Sequence, residues 1–237
     1  MEPTTSVMRL AKPSFDVGLM TRDGAAARSF WSEAAGLRLD HVLDVENGRS
    51  QFRYDVHGSV VKVNHFPHMP PSAPADGGYV ALECADAAGV GAWLTGPDRT
   101  LFRRVPRIAN GRADVRVVLH TVDVERLWRF YVRVLEFEPL SESEVLCGRS
   151  ALQFEKRPGL RSEPALEGSG YRYLTVQIFD ADRAHRHVLA AGGMEGMPPT
   201  NLRDVARFSF VRDPDGNWIE LSARASLIGD TTREHTG

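Results

Sequence analysis

The chain has 237 residues, which is long enough to bury the core of one large domain or of two domains of about 115 residues each. Its hydrophobic fraction of 42% and its charged fraction of 25% are ordinary for a globular protein. The formal net charge of −2 gives no electrostatic reason to expect a nucleic acid or an anionic membrane as a partner.

Apolar runs and cysteines indicate the compartment. The first residues contain no apolar run of signal-peptide length, and no stretch of about 18 apolar residues occurs in the sequence. Cys84 and Cys147 are the two cysteines, and neither belongs to a CxxC motif. We therefore predict a cytoplasmic protein with no membrane association and no disulfide framework.

The sequence repeats itself with an offset of 100 residues. Asp23 and Asp123 each end a strand-like run, and each precedes an aromatic pair by seven residues. The residues after each Asp carry an apolar face with a period of 3.6 residues, which predicts helices at about 24–36 and 124–135. The repeat predicts two halves with equivalent elements.

Each half contains two strand-rich units. Strand candidates follow the two helices at 37–43, 50–56 and 59–66, and at 137–143, 143–148 and 150–156. Further helices are predicted at about 86–94 and 181–191, after Asp86 and Asp180 as N-caps. The pattern of strand, helix and three strands thus occurs four times. Its second copy is about 23 residues short, which we interpret as the loss of two strands.

Two motifs carry a resemblance to a known family. Residues 213–221 read DPDGNWIEL, a tight turn followed by a strand, and residues 122–131 read VDVERLWRFY. With the repeat, they resemble the vicinal oxygen chelate superfamily of glyoxalase I, extradiol dioxygenases and bleomycin-resistance proteins, over about residues 14–223. The resemblance implies an α+β fold, in which βαβββ modules form cupped mixed β-sheets around a cavity.

The resemblance also implies the domain organisation. We expect an N-terminal vicinal oxygen chelate domain at 10–107, a C-terminal one at 112–224 and a polar tail at 225–237. The modules can pair in two ways: one with four and two with three, or one with two and three with four. The sequence leaves both pairings open.

The family holds a divalent metal with His, Gln or Glu side chains from the first and last strands of each module. The matching positions in modules one to four hold Asp16 and Lys62, Tyr79 and Arg103, Arg116 and Gln153, and Tyr173 and Glu220. No pairing gives more than two carboxylates, and every cavity contains a fixed cation that repels a metal ion. We therefore favour no cofactor. The alternative is Fe, Mn, Ni or Zn held by Glu220 and Asp16.

The resemblance implies a small-molecule site. We expect acid/base chemistry of a lyase, isomerase or dioxygenase-like kind on a small oxygenated or aromatic metabolite, with Glu220 as acid or base, Tyr173 and Lys62 stabilising an oxyanion, and Asp16 beside them. The predicted ligand-binding residues are Asn64, Gln177, Thr175, Arg116, Gln153 and His120. The alternative is a non-catalytic binding protein of the bleomycin-resistance type. Either form is expected to be a monomer or a homodimer.

Overall fold

The computed structural model describes residues 6–45, 47–70, 76–160 and 165–229. The strands of the first two modules are β1 (Leu10–Thr21), β2 (Arg38–Val45), β3 (Arg49–Val56), β4 (Ser59–His65), β5 (Gly78–Ala85), β6 (Leu94–Thr95) and β7 (Leu101–Val105). Those of the last two are β8 (Val115–Thr121), β9 (Glu138–Ser141), β10 (Glu144–Cys147), β11 (Ser150–Lys156), β12 (Gly170–Ile178), β13 (Met194–Leu202), β14 (Ala206–Arg212) and β15 (Trp218–Arg224). The helices are α1 (Gly24–Ser29), which continues as a π-helix (Phe30–Ala34), α2 (Val124–Arg133), α3 (Ala181–Ala190) and α4 (Ala225–Ile228).

The strands form two mixed sheets. The first has eight strands in the order β13-β14-β15-β12-β1-β4-β3-β2, and the second has seven in the order β6-β7-β5-β8-β11-β10-β9. Module one therefore shares a sheet with module four, and module two with module three. Antiparallel pairing of β1 with β12, and of β5 with β8, joins the modules. The α+β fold of repeated modules is confirmed, and the pairing of one with four is the one that forms.

Each sheet takes strands from both halves of the sequence. The predicted domains at 10–107 and 112–224 thus correspond to the two copies of the sequence repeat rather than to one sheet each. Their boundaries stay a prediction. Of the predicted tail at 225–237, Ala225–Ile228 forms the short helix α4, and residues 230–237 lie outside the described residues. None of the described helices is long and apolar enough to cross a membrane.

The repeat is visible in individual hydrogen bonds. Asp23 accepts the backbone N–H of Ala26 at 2.9 Å, and Asp123 accepts that of Arg126 at 3.1 Å, so both helices begin at the predicted N-cap. Thr21 and Thr121 end the preceding strands, and each hydroxyl accepts the N–H of the capping Asp. The aromatic pairs that follow are buried in the core, as their spacing predicts.

The second module differs from the prediction. The helix expected at 86–94 does not form; Asp86 instead accepts the N–H of Ala88 at 2.9 Å and closes a turn. Gly89 and Gly91 fall within this short segment, and each glycine disfavours a helix by about 1 kcal/mol relative to alanine. The module retains β5, β7 and a two-residue β6. It has therefore lost its helix and one strand, and the expected loss of two strands is wrong.

The main hydrophobic core lies on the helix-facing side of both sheets. Trp31, Leu127 and Val188 from the three longer helical segments belong to the same buried cluster as Leu82 and Leu174 from the two sheets. Because side chains alternate along a strand, the residues between these core positions point to the opposite face. That opposite face carries the candidate site.

Candidate functional site

The face of the eight-stranded sheet that points away from the main core carries a row of polar side chains, here called the first cup. Strand register places Thr175 beside Asp16 on one side and beside Glu220 on the other. Gly18 lies beside both Tyr173 and Lys62. Residues that are 204 positions apart at the extremes, from 16 to 220, are therefore brought onto one surface by the pairing of modules one and four.

An ion pair occupies the centre of the first cup. Lys62 Nζ donates to Glu220 Oε2 at 2.9 Å and to Thr175 Oγ1 at 2.7 Å. Thr175 Oγ1 donates to the same Glu220 oxygen at 2.6 Å. The Lys62 side chain is 6% exposed and that of Glu220 is 14% exposed. Glu220 Oε1 accepts no hydrogen bond from the described residues, so one carboxylate oxygen is left for a ligand.

The phenol of Tyr173 lies next to this pair. Its ring covers Gly18, where a Cβ atom would come within 2.2 Å of the ring. Asn64 Nδ2 donates to the Tyr173 hydroxyl at 3.1 Å and to the carbonyl of Leu19 at 2.9 Å. Burial, together with the charge of Glu220, raises the pKa of Tyr173 far above its usual value of 10, so the phenol stays neutral. It therefore serves as a hydrogen-bond donor, and no described residue accepts its proton.

Asp16 belongs to a second cluster on the same face. It pairs with Lys12 and accepts the backbone N–H of Val60 at 3.0 Å. Gln177 Nε2 lies 3.4 Å from its other oxygen. Asp16 is thus held by neighbours of its own rather than by Lys62. Lys62, Thr175 and Glu220 are thus in direct contact, and the Tyr173 ring lies 5.7 Å from Lys62 Nζ. Asp16 lies beside Thr175 on the neighbouring strand β1.

A cluster of aromatic and methionine side chains borders the polar centre. Its buried members are Met20, Met69, Tyr173 and Phe210, and the partly buried residues packed on them are Phe66, Leu166, Met197, Phe208 and Trp218. The ring of Phe210 meets those of Tyr173 and Trp218 edge to face, with centroids 5.5 and 5.8 Å apart. The cup therefore offers an apolar wall beside a charged pair, as sites for aromatic oxygenated ligands do.

Three of the predicted ligand-binding residues lie on the other sheet. Arg116 donates to Glu83 at 2.7 Å and to Glu144 at 2.8 Å. Gln153 pairs with Glu144 across β10 and β11, and His120 Nδ1 lies 3.1 Å from the carbonyl oxygen of Asp76. The pairing of modules two and three separates these residues from Glu220.

Two residues of the second sheet differ from the predicted set of cavity-facing positions. Tyr79, expected to face a cavity, is on the core side, where its hydroxyl lies 3.1 Å from that of Tyr131 and donates to the carbonyl of Trp218 at 3.2 Å. An irregularity in the pairing of β5 with β8, between Tyr79 and Ala81, accounts for this orientation. The sequence analysis did not single out Glu83, which is buried on β5 and forms ion pairs with Arg103 and Arg116.

Comparison with known proteins agrees with this architecture. The model of the Glyoxalase/Bleomycin resistance protein/Dioxygenase superfamily matches residues 115–221. Glyoxalase I from Zea mays superposes with a TM-score of 0.74 at 14% identity, covering 95% of this chain and 97% of that one. A candidate dioxygenase from Bacillus subtilis gives 0.68 at 12% identity, covering 92% and 85%. The cppA protein from Streptococcus pneumoniae gives 0.54 at 10% identity, covering 89% and 98%.

The fold and the sequence match define the class of protein. Residues 115–221 match the model of the Glyoxalase/Bleomycin resistance protein/Dioxygenase superfamily, and the fold of the chain is similar to that of glyoxalase I over 95% of its length. A search of curated protein sequences found no match. Members of the superfamily bind small-molecule substrates or ligands and typically use divalent metals.

The residues of the first cup do not fit such a metal. Its matching positions hold Asp16, Lys62, Tyr173 and Glu220, and the Lys62 ammonium lies within hydrogen-bond distance of the Glu220 carboxylate. An ammonium in that place repels a divalent cation, and a neutral phenol is a poor ligand for one. No group of three or more His, Cys, Asp or Glu side chains within the described ranges could hold a metal ion.

We predict that the purified protein binds Fe, Mn, Ni or Zn at far less than one ion per chain. The reason is the Lys62–Glu220 pair, which satisfies the carboxylate that a metal would need. Elemental analysis after dialysis against each metal gives the measurement. One tightly bound ion per chain that is lost in the Glu220→Gln variant would contradict the prediction.

Proposed function

We propose that the chain binds a small oxygenated aromatic metabolite in the first cup and acts on it by acid/base chemistry, with Glu220 as the proton acceptor and without a metal. The observation that carries the proposal is the buried Lys62–Glu220 pair, 2.9 Å across, beside the Tyr173 phenol and the aromatic wall. Lys62 and Tyr173 are the two groups that would stabilise a developing oxyanion.

The hydrogen-bonding capacity of the cup supports the assignment of roles. Glu220 Oε1 is an acceptor without a donor among the described residues, and the Tyr173 hydroxyl is a donor without an acceptor among them. A ligand that carries an enolisable carbonyl can use both, because its oxygen accepts from Tyr173 while its acidic C–H faces Glu220. Desolvation by the surrounding aromatic side chains strengthens both interactions.

The second candidate function is binding without turnover, as in bleomycin-resistance proteins. The observation that favours it is that Lys62 and Thr175 both donate to Glu220 Oε2. Two donors already satisfy this carboxylate oxygen in the free protein, so the pair is suited to holding a fixed geometry. In this reading the pair orients a ligand and carries out no chemistry on it.

Substitution of Glu220 distinguishes the two functions. We expect the wild-type protein to accelerate exchange of the methylene protons of phenylpyruvate in D₂O, followed by ¹H NMR, and Glu220→Gln to reduce that rate by about 100-fold or more. The Kd for phenylpyruvate, measured by calorimetry, should change by no more than about threefold, since the amide keeps the shape of the carboxylate.

The matched control is Glu144→Gln, which removes a similarly buried carboxylate from the other sheet. It should leave the exchange rate unchanged. Binding of phenylpyruvate by the wild-type protein with no accelerated exchange would reject the catalytic proposal in favour of the binding function. Exchange that survives in Glu220→Gln would remove Glu220 from its proposed role.

A further inference from the structure

Arg53 and Arg224, both on the first cup, have no ion-pair partner among the described residues. Arg53 lies on β3 between Phe52 and Tyr54, which belong to the main core, so its own side chain points to the cup face. Its Cα pairs with that of Lys62 on the neighbouring strand. Arg224 is four residues beyond Glu220 on β15, a spacing that puts both on the same face of the strand.

The carboxylates of the cup are already engaged by other cations. Asp16 pairs with Lys12, and Glu220 pairs with Lys62. Each of these two carboxylates is thus matched by a lysine, and Arg53 and Arg224 add further positive charge to the described part of the cup. Such an excess of buried positive charge is costly for the free protein, and a bound anion relieves it.

The Arg53 guanidinium also has an unmet hydrogen bond. The residue is only 7% exposed, and its Nη1 donates to Gln51 Oε1 at 2.7 Å. Its Nε is buried and has no acceptor. Asp40 on β2 is an exposed carboxylate outside the cup that lies near Arg53. Its Oδ2 atom is 2.7 Å from Nδ1 of His41. A buried N–H without an acceptor is uncommon in native proteins, and a ligand that accepts from Arg53 would satisfy it.

Arg224 lies within electrostatic range of three charged side chains of the cup. Burial lowers the pKa of the half-buried Arg224, and the neighbouring charge of Arg53 lowers it further. Asp16 and Glu220 act on the same guanidinium in the opposite direction. Arg53 on β3 and Arg224 on β15 are separated by three strands, yet both lie on the cup face of the sheet and border the same polar centre of Asp16, Lys62 and Glu220.

We propose that Arg53 and Arg224 form an anion subsite beside Glu220, so that the ligand of the cup carries a carboxylate or a phosphate group. Guanidinium groups bind both through paired N–H donors of fixed geometry. The anion would accept the free N–H of Arg53, and the rest of the ligand would extend along the aromatic wall toward Tyr173. This inference deepens the proposed function by naming the class of its substrate, but it does not depend on turnover.

A pair of matched probes tests the subsite. Phenylpyruvate and phenylacetone share the aromatic ring and the ketone, and they differ in a carboxylate against a methyl group. We expect the wild-type protein to bind phenylpyruvate at least tenfold more tightly than phenylacetone, as measured by calorimetry. Arg53→Met and Arg224→Met should each abolish that preference while binding of phenylacetone is retained. Inorganic phosphate and acetate are then compared as competitors of phenylpyruvate, and the stronger competitor identifies the class of anion.

Exposed Arg38 on β2 provides the control, since its side chain is 72% exposed and pairs with Asp55. Arg38→Met should keep the full preference for phenylpyruvate. Arg53→Lys, which keeps the charge, is the second variant if Arg53→Met unfolds, and it should retain part of the preference. The proposal is overturned if the wild-type protein binds phenylpyruvate no more tightly than phenylacetone and does not bind phosphate. It is also overturned if both methionine variants keep the preference for phenylpyruvate.

The outcome is separable from that of the proposed function. If Glu220→Gln leaves proton exchange unchanged while the arginine variants lose the preference for phenylpyruvate, the anion subsite stands and the catalytic role of Glu220 is rejected. If proton exchange depends on Glu220 but phenylacetone is bound as tightly as phenylpyruvate, the catalytic role stands and the anion subsite is rejected.

Discussion

Lys62→Met is expected to lower the free energy of unfolding by about 3–5 kcal/mol. The methionine preserves the volume of the side chain but leaves the Glu220 carboxylate, which is 14% exposed, without the ammonium 2.9 Å away. A buried charge that loses its partner costs far more than an exposed one. Urea unfolding at pH 7, followed by circular dichroism, measures the change.

Two further variants locate the cause of the loss. Glu220→Gln in the Lys62→Met background should restore part of the stability, because a neutral amide needs no counter-ion. Arg38→Met breaks an exposed pair with Asp55 and should cost less than about 1 kcal/mol. If Lys62→Met proves as mild as Arg38→Met, the central ion pair is not desolvated in the way that its burial implies.

Asp213→Asn is expected to change how stability depends on pH. Asp213 begins the DPDG turn and is fully buried. It accepts the backbone N–H groups of Asp215 and Asn217 at 2.9 Å each, and the hydroxyl of Tyr131 at 3.1 Å. Burial raises the pKa of Asp213 from 3.8 to about 6, although its hydrogen bonds with Asn217 and Tyr131 oppose the shift.

The sign of the effect follows from the raised pKa. The folded protein holds the Asp213 proton more tightly than the unfolded chain, so ionisation favours unfolding as the pH rises from about 4 to 6. The loss reaches about 3 kcal/mol above pH 6, at 1.36 kcal/mol per pKa unit. The free energy of unfolding of Asp213→Asn, relative to wild type, should therefore improve by about that amount between pH 4 and pH 7.

Unfolding curves at several pH values give this difference directly. Asp182→Asn is the control, because hydrogen bonding by Arg207 lowers the pKa of Asp182, the opposite direction to the shift of Asp213. Its stability relative to wild type should therefore not improve between pH 4 and pH 7. A constant difference for Asp213→Asn over the same range would show that its carboxyl titrates as it does in the unfolded chain.

Much of the fold could be predicted because its signals are local. The caps at Asp23, Asp123 and Asp180 follow from short-range hydrogen bonds that depend only on neighbouring residues. The offset of 100 between Asp23 and Asp123 revealed the modules by itself. The failed helix at 86–94 shows the limit of such reasoning, because a plausible N-cap does not compensate for two glycines in a segment too short for the expected helix.

The candidate site could be predicted only in part. The positions implied by the family resemblance included Lys62 on β4 and Tyr173 on β12, and the structure places both on the face that points away from the core. Arg53 occupies an equally regular position between two core residues, but no family motif drew attention to it. Tyr79 was assigned to the wrong face because an irregularity in strand pairing shifts the alternation, and the sequence carries no clear sign of it.

The sequence by itself determined the module type and the helices capped by Asp23, Asp123 and Asp180, since each depends on the chemistry of a few adjacent positions. Only the tertiary structure decided that module one pairs with module four, and hence that Lys62 meets Glu220 while Arg116 meets Glu83. Both pairings of the modules satisfy the same hydrophobic pattern. The choice between them depends on contacts between residues more than 100 positions apart, and no local pattern encodes those contacts.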